Sequence, residues 1–407
     1  MSTIRFILQN YRWLSAGVLL TFLSSFGQTF FISVFAGEIR ETFSLSHGQW
    51  GGIYTLGTTA SAVAMVWAGG LTDHFRTRVL GGLVLAMLAG ACLFMAWSPT
   101  AALLPLVIFC LRFCGQGMTS HIAVVSMSRW FVASRGKALS IAGLGIALGE
   151  AILPLTFVSL LLTVDWRVLW LIPVATCLAA IPLLVMLLMQ ERTPQSHAET
   201  DHAVGMEGRH WTRNEVLRHW LFWFMVPALL GPPAFGTAFF FQQVHFAEVK
   251  GWTHLELVAL FPIYTAVVVA AMTLSGWLLD RVGTPRLIPW YQLPMVAAFT
   301  LYALSPTPGW ALVGMMSMAL TTGCNNTLPN AFWAEFYGTR RMGSIKAMAA
   351  AVMVLGTALG PGITGFLIDF GIGIQTQYLG VALYFAFATA MMVIGVGRAR
   401  GLLIAAA

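Results

Sequence analysis

Twelve runs of about 20 apolar residues constrain this chain more than any motif it carries. A helix of about 20 residues crosses a hydrocarbon core roughly 30 Å thick. The runs fall at 13–35, 49–71, 79–97, 101–123, 138–162, 167–189, 219–246, 255–279, 287–304, 309–331, 343–367 and 375–397. Most linkers between them are short and carry Gly, Pro or charge. The first run is longer than the apolar core of a leader peptide and lacks a small-x-small cleavage site, so it reads as a retained span. Composition agrees. Only 9% of the 407 residues are charged and 58% are hydrophobic, where soluble domains run near 25% charged. A chain with so little charge cannot cover a globular surface with solvated groups. That excludes a cytosolic enzyme, a nucleic-acid binder and a disordered scaffold. The expectation is an all-α integral membrane protein of twelve transmembrane helices.

The placement of positive charge sets the orientation. Of the 22 Lys and Arg, Arg40, Arg167 and Lys250 fall on the side opposite the termini and Arg112 falls inside a span; the rest share the side of the termini. Positive residues concentrate on the cytoplasmic side, so both termini are expected there, with the protein in the cell membrane (a bacterial inner membrane). The net charge of +7 is then an orientation signal and implies no nucleic-acid partner. Cys92, Cys110, Cys114, Cys177 and Cys324 all lie in apolar runs and read as buried free thiols, with no disulfide framework. No metal or cofactor is expected. His197, His202 and His210 match no helix-face pair, Gly143-Leu144-Gly145 follows no strand, and there is no Walker loop. An enzyme or an ATP-driven pump is therefore not expected.

The chain also reads as a doubled unit. Gly69, Leu71 and Asp73 recur as Gly276, Leu278 and Asp280, and Gly149 and Pro154 recur as Gly356 and Pro361, every pair at an offset of 207. The longest polar stretch lies between the sixth and seventh spans. The expected domains are a six-helix bundle over 1–190, a cytoplasmic linker over 191–216 without apolar anchoring, and a second six-helix bundle over 217–407. Parallel repeats of this kind are a known transporter architecture.

Two segments carry a family resemblance. Gly69-Gly70-Leu71-Thr72-Asp73-His74-Phe75-Arg76-Thr77-Arg78 and Gly276-Trp277-Leu278-Leu279-Asp280-Arg281-Val282-Gly283-Thr284-Pro285-Arg286 resemble the G-x-L-x-D-R-x-G-R-R loop signature of the major facilitator superfamily. The first copy has His74 and Arg76 where the signature has Arg and Gly. Ser128-Arg129-Trp130-Phe131-Val132-Ala133-Ser134-Arg135-Gly136-Lys137-Ala138, with Trp166-Arg167 opening the sixth span, resembles the monocarboxylate transporter and oxalate–formate antiporter group. The resemblance implies a carrier whose halves rock about a central site. It implies a conformational latch at Asp73, Arg78, Asp280, Arg281 and Arg286, where loop carboxylates meet arginines and helix N-termini; the plainer alternative is that Asp73 and Asp280 anchor turns. It also implies that the first, fourth, seventh and tenth spans line the cavity.

Ionisable groups at mid-membrane cost roughly 2.5–3.5 kcal/mol each. Two are expected there: at 1.5 Å per residue, Arg112 lies about 16 Å below the outer face and Glu150 about 18 Å above the inner face. Either they pair permanently, or Arg112 meets a substrate anion while Glu150 carries a proton. Arg112 belongs to Arg112-Phe113-Cys114-Gly115-Gln116-Gly117, which resembles the superfamily's fourth-span R-x-x-x-G-x-G pattern. On α-helical spacing, Arg112, Gln116 and Ser120 share one face of the fourth span, and Thr322, Asn326 and Asn330 share one face of the tenth. Gln28, Gln242 and Asn325 complete the candidate substrate contacts. Gly231-Pro232-Pro233 predicts a kink in the seventh span. The reading is a monomeric secondary carrier of a small organic anion, a monocarboxylate or zwitterion, by symport or antiport. The alternative is a proton-coupled exporter of amphiphilic or toxic compounds.

Overall fold

The computed structural model describes residues 3–131, 134–190, 204–325 and 327–403. Among these residues all regular structure is helical. Eight helices are long and apolar enough to cross a membrane: Thr77–Trp97, Ala101–Trp130, Gly136–Leu161, Trp166–Leu187, Trp220–Phe241, His254–Val282, Ser344–Asp369 and Ile374–Leu402. A ninth span is a pair, Arg5–Gly27 and Thr29–Phe43, bent by 48° at the intervening residue. The remaining three of the twelve spans fall on His47–Ala68, Leu293–Leu304 and Pro308–Asn325. Large apolar side chains stand exposed on the spans: Val66 and Trp67 of the second and Trp97 of the third are 76%, 73% and 75% exposed, as lipid-facing positions should be.

The chain forms two compact units. The first comprises Met1–Ala198 with Phe240–His245, the second Glu199–Phe239 with Phe246–Ala407. In the first unit, Ser46 opens the second span with a capping box to Gln49, which answers two amides the helix leaves open. The first, second, fourth and fifth spans pack by close backbone approach. A Cβ on Gly27 would lie 2.7 Å from Gly115 Cα and 2.2 Å from the Leu111 carbonyl oxygen, so small residues are obligatory where the first and fourth spans cross. Phe26, Phe31, Phe35, Phe157 and Trp170 fill the space beside this crossing, mostly edge to face, as the aromatic content of these spans suggests.

The second unit repeats the scheme. A Cβ on Gly360 of the eleventh span would lie 2.2 Å from the Ala234 carbonyl oxygen of the seventh. Phe239, Phe299, Tyr302, Tyr378 and Phe385 form its ring cluster. The tail of the polar stretch joins this unit. Met206 and Trp211 are buried, the Trp211 amide donates to the Tyr337 carbonyl at 3.1 Å, and Thr212 opens a capping box with Glu215. The expected want of apolar anchoring is therefore corrected for residues 204–216: two large apolar side chains sit among the polar ones and hold the segment down. Residues 191–203 lie outside the described residues.

One repeat escaped the sequence reading. Ala96-Trp97-Ser98-Pro99-Thr100 closes the third span and Ala303-Leu304-Ser305-Pro306-Thr307 closes the ninth, again 207 residues apart. A helix C-terminus leaves carbonyls unanswered and carries negative partial charge. Arg167 Nη1 donates to the Ala96 and Ser98 carbonyls at 3.1 and 2.8 Å. Lys250 Nζ donates to the Ala303 and Ser305 carbonyls at 2.8 and 2.9 Å. The acceptors are repeat-equivalent; the cations are not.

Candidate functional site

Arg112 is 1% exposed, and its surroundings are set by two irregular turns. The first span breaks at Gln28, whose backbone is extended (φ −86°, ψ 153°) between the helices on either side. The fourth span widens into a π-helical stretch over Arg112–Thr119, a turn often found at functional sites. Thr119 Oγ1 donates to the Cys114 carbonyl five residues back. Breaking a helix inside a membrane orphans carbonyls, each costing several kcal/mol if left bare. Arg112 Nη1 donates to the Gly27 carbonyl at 3.1 Å and to Thr29 Oγ1 at 3.3 Å. The guanidinium carbon lies 5.4 Å from the centre of the Tyr54 ring, and the Tyr54 hydroxyl shares a hydrogen bond with Thr29 Oγ1. Arg112 Nε has no hydrogen-bond partner among the described residues.

The partners of Arg112 are thus a carbonyl, a hydroxyl and a ring. The pair with Glu150 that depth alone suggests is not formed. Glu150 is half-buried on the fifth span, while the first-span carbonyl freed at the break takes the guanidinium. The wide turn also corrects the expected Arg112–Gln116–Ser120 face. Hydrogen bonds to the fifth residue back shift the register, so i, i+4 spacing no longer repeats one face. Gln116 is half-buried within that turn, and Gln28 is half-buried at the break itself. Thr29 and Tyr54 were missed. Tyr54 lies on the second span, outside those counted as cavity-lining, and nothing in the sequence ties it to Arg112.

Gln242 is 4% exposed in the segment Phe240–His245 of the first unit. Its neighbour Gln243, fully buried, donates through Nε2 to Ser33 Oγ at 2.7 Å and to the Phe30 carbonyl at 3.2 Å. Gln243 Oε1 has no hydrogen-bond partner among the described residues.

In the second unit the predicted kink is a wide turn over Pro232–Gly236 inside the continuous helix Trp220–Phe241. Pro232 has no N–H to give the Ala228 carbonyl. Gln292 Nε2 supplies one at 2.6 Å and also donates to the Tyr291 hydroxyl at 2.8 Å. Tyr291 in turn donates to Asn325 Oδ1 at 3.3 Å. Asn325 is half-buried and ends the helix Pro308–Asn325; a separate helix, Leu328–Tyr337, follows with proline in its first turn. Pro329 cannot donate to the Asn325 carbonyl, so the helix stops there. This corrects the expected continuous tenth span and its single Thr322–Asn326–Asn330 face. Asn330 sits exposed on the second of these helices, and Asn326 lies outside the described residues.

The loop signatures differ between copies. Gly283 adopts φ +82°, which favours glycine. Arg76, at the equivalent place, is extended with φ −65°, so the first loop turns without that conformation. Arg129 Nη1 donates to the Thr72 carbonyl at 2.6 Å, and Arg78 is half-buried. The Asp73 side chain lies outside the described residues. In the second loop Asp280 and Arg286 are exposed, Arg281 stacks 4.1 Å over Trp277, and Asp280 pairs with neither arginine. The five cysteines are free; Cys92, Cys114 and Cys177 are buried, Cys110 and Cys324 half-buried.

Comparison with known proteins follows the same lines. The "Dipeptide and tripeptide permease A" of Pectobacterium carotovorum subsp. carotovorum (strain PC1) is 27% identical over 98 residues, a match covering 24% of this chain and 19% of the permease. The crystal structure of a bacterial homologue of the human lysosomal transporter Spinster aligns with a TM-score of 0.73 at 17% identity, covering 98% of this chain and 99% of that one. The nucleoside transporter NupG aligns with a TM-score of 0.69 at 16% identity, covering 94% and 98%. The family model of the Major Facilitator Superfamily matches residues 17–361. This all-helical, multi-pass membrane protein belongs to the Major Facilitator Superfamily.

Proposed function

We propose that the chain is a secondary active carrier of a small organic anion, a monocarboxylate or a zwitterion, working by alternating access with protons or a second solute as the coupled species. One observation carries the reading. Arg112 is a buried cation answered by a carbonyl, a hydroxyl and an aromatic ring, so its charge is solvated without being neutralised. A buried charge in that state is costly, and a substrate carboxylate supplies the missing counter-charge. Gln28, Gln116, Gln242, Asn325, Asn326 and Asn330 are the proposed orienting contacts. Glu150 is the proposed proton site, and Asp73, Arg78, Asp280, Arg281 and Arg286 the proposed latch. We read the chain as two bundles, 1–190 and 217–407, joined through 191–216, acting as a monomer in the cell membrane with both termini cytoplasmic. The peptide permease and the nucleoside transporter support a polar organic solute in general; a peptide carboxylate is compatible with Arg112.

The test is a thermal-shift screen of the purified protein against small carboxylates, amino acids and cationic amphiphiles. A ligand at 100 times its Kd stabilises by about 2.7 kcal/mol. A carboxylate hit that disappears in Arg112→Ala and is carried in liposomes is the expected result. Hits confined to cationic amphiphiles overturn it in favour of export.

A further inference from the structure

We infer that Tyr291 and Gln292 are positioning residues that fix which end of the Asn325 amide faces a substrate, and that the end presented is the donor. The inference rests on the proposal that Asn325 contacts substrate. Its carrier is a chain of hydrogen bonds whose direction is set at the far end.

Pro232 leaves the Ala228 carbonyl without its helical donor. A carbonyl oxygen can only accept, so the group at 2.6 Å from it must be the Gln292 nitrogen. Turning the Gln292 amide over would set two acceptors against each other in a fully buried place. The same nitrogen lies 2.8 Å from the Tyr291 hydroxyl and donates to it. A tyrosine hydroxyl has one proton, and besides the Gln292 nitrogen its only hydrogen-bond partner among the described residues is Asn325, so the proton is used only if it goes to Asn325. The Asn325 group 3.3 Å away is therefore Oδ1. The Asn325 nitrogen, with two N–H groups, finds no acceptor among the described residues. The uncompensated Gln292 Oε1 fits this order, since both demands fall on its nitrogen.

The consequence is chemical selectivity. At this point the second unit offers donors, which take a carboxylate or carbonyl oxygen and reject an ammonium group. Gln292 and Tyr291 precede the ninth span's helix, Leu293–Leu304, and act through Asn325 without touching the solute.

Two measurements test it. In protein labelled with ¹³C-asparagine, the Asn325 side-chain carbonyl band is isolated by difference infrared spectroscopy against Asn325→Ala. Tyr291→Phe should move that band to higher frequency, because the bond to Oδ1 is lost. An unmoved band overturns the inference, whatever the protein transports. The second measurement is binding of propionate and propylammonium, matched in size and opposite in character. Tyr291→Phe should weaken propionate about five-fold, the effect of one hydrogen bond, without weakening propylammonium. Asn325→Asp should reverse the preference. Equal weakening of both probes in Tyr291→Phe means general damage and overturns the positioning role. If wild-type protein binds neither probe, the anion reading fails while the infrared shift still decides the orientation.

Discussion

The first and seventh spans are interrupted at repeat-equivalent places and are repaired by different chemistry. Residues 25–28 of the first span and 232–235 of the seventh stand 207 apart. At the first, the backbone bends by 48°, and the freed Gly27 carbonyl is answered by the guanidinium of Arg112. At the second, the helix runs on through a wide turn, and the Ala228 carbonyl is answered by the amide of Gln292. The repeat position of Arg112 is held by Ala319. Lipid demands that each carbonyl be answered but does not specify the donor. A neutral amide satisfies the carbonyl and is finished. A guanidinium satisfies it and still carries a net charge with donors to spare, which is what an anion site requires. The two bundles share a scaffold and differ in the donor that answers the freed carbonyl.

The largest expected effect comes from removing the charge. Arg112→Ala should lower carboxylate affinity about 100-fold, the scale of a lost charged hydrogen-bonding pair, and cost about 1–3 kcal/mol of stability through the bare Gly27 carbonyl. Arg112→Gln gives the first unit the second unit's kind of donor. It should recover much of that stability and none of the affinity; recovery of affinity in ligand-binding titrations would sink the charge-based account.

Next in size is Gln292→Leu, expected to cost about 1–3 kcal/mol by stranding the Ala228 carbonyl. Pro232→Ala restores a backbone donor there, so in that background the same substitution should cost about 1 kcal/mol less. A double-mutant cycle in detergent unfolding measures the coupling, and strict additivity would break the comparison.

The paired helix ends give a smaller contrast. Arg167→Met should destabilise by about 1 kcal/mol and Lys250→Met by less, on the scale of a cation at a helix C-terminus. Burial also lowers the Lys250 pKa below its ordinary 10.5. The unfolded chain therefore holds the proton to higher pH than the folded one, and the linked stability rises as pH climbs from the lowered value towards 10.5. Comparing thermal unfolding of wild type and Lys250→Met across that window should show the slope vanish in the variant.

The spans, their doubling and the burial of Arg112 were legible because hydrophobic length and repeated residues are written directly in the sequence. The breaks were less so. Gln28 becomes extended without a proline, beside a Gly27 that is needed for close packing, and no local signal separates those two uses. Pro329 marks the end of the tenth-span helix at Asn325, although the apolar run continues past it. Gly115 and Gly117 mark the wide turn after Arg112 but do not distinguish it from an ordinary tight helix crossing. Tyr54, Tyr291 and Gln292 were missed for a physical reason. Tyr54 reaches Arg112, Gln292 reaches Ala228 and Tyr291 reaches Asn325 across long sequence separations, and their spans are not among the first, fourth, seventh and tenth expected to line the cavity. The Ala-x-Ser-Pro-Thr repeat was readable at the same offset as the others, but its meaning depends on cations that do not repeat.

That last feature has a practical consequence for how the protein can be built. Arg167 and the carbonyls it holds lie together before the polar stretch, and Lys250 and its carbonyls lie together after it. Neither half borrows its closing cation from the other. Two separately expressed fragments, divided between residues 190 and 204, would each carry the residues that finish their own third-position helix. Phe240–His245 of the second fragment belongs to the first unit, so the two pieces have to be expressed together if one half of the carrier is to be labelled at a time.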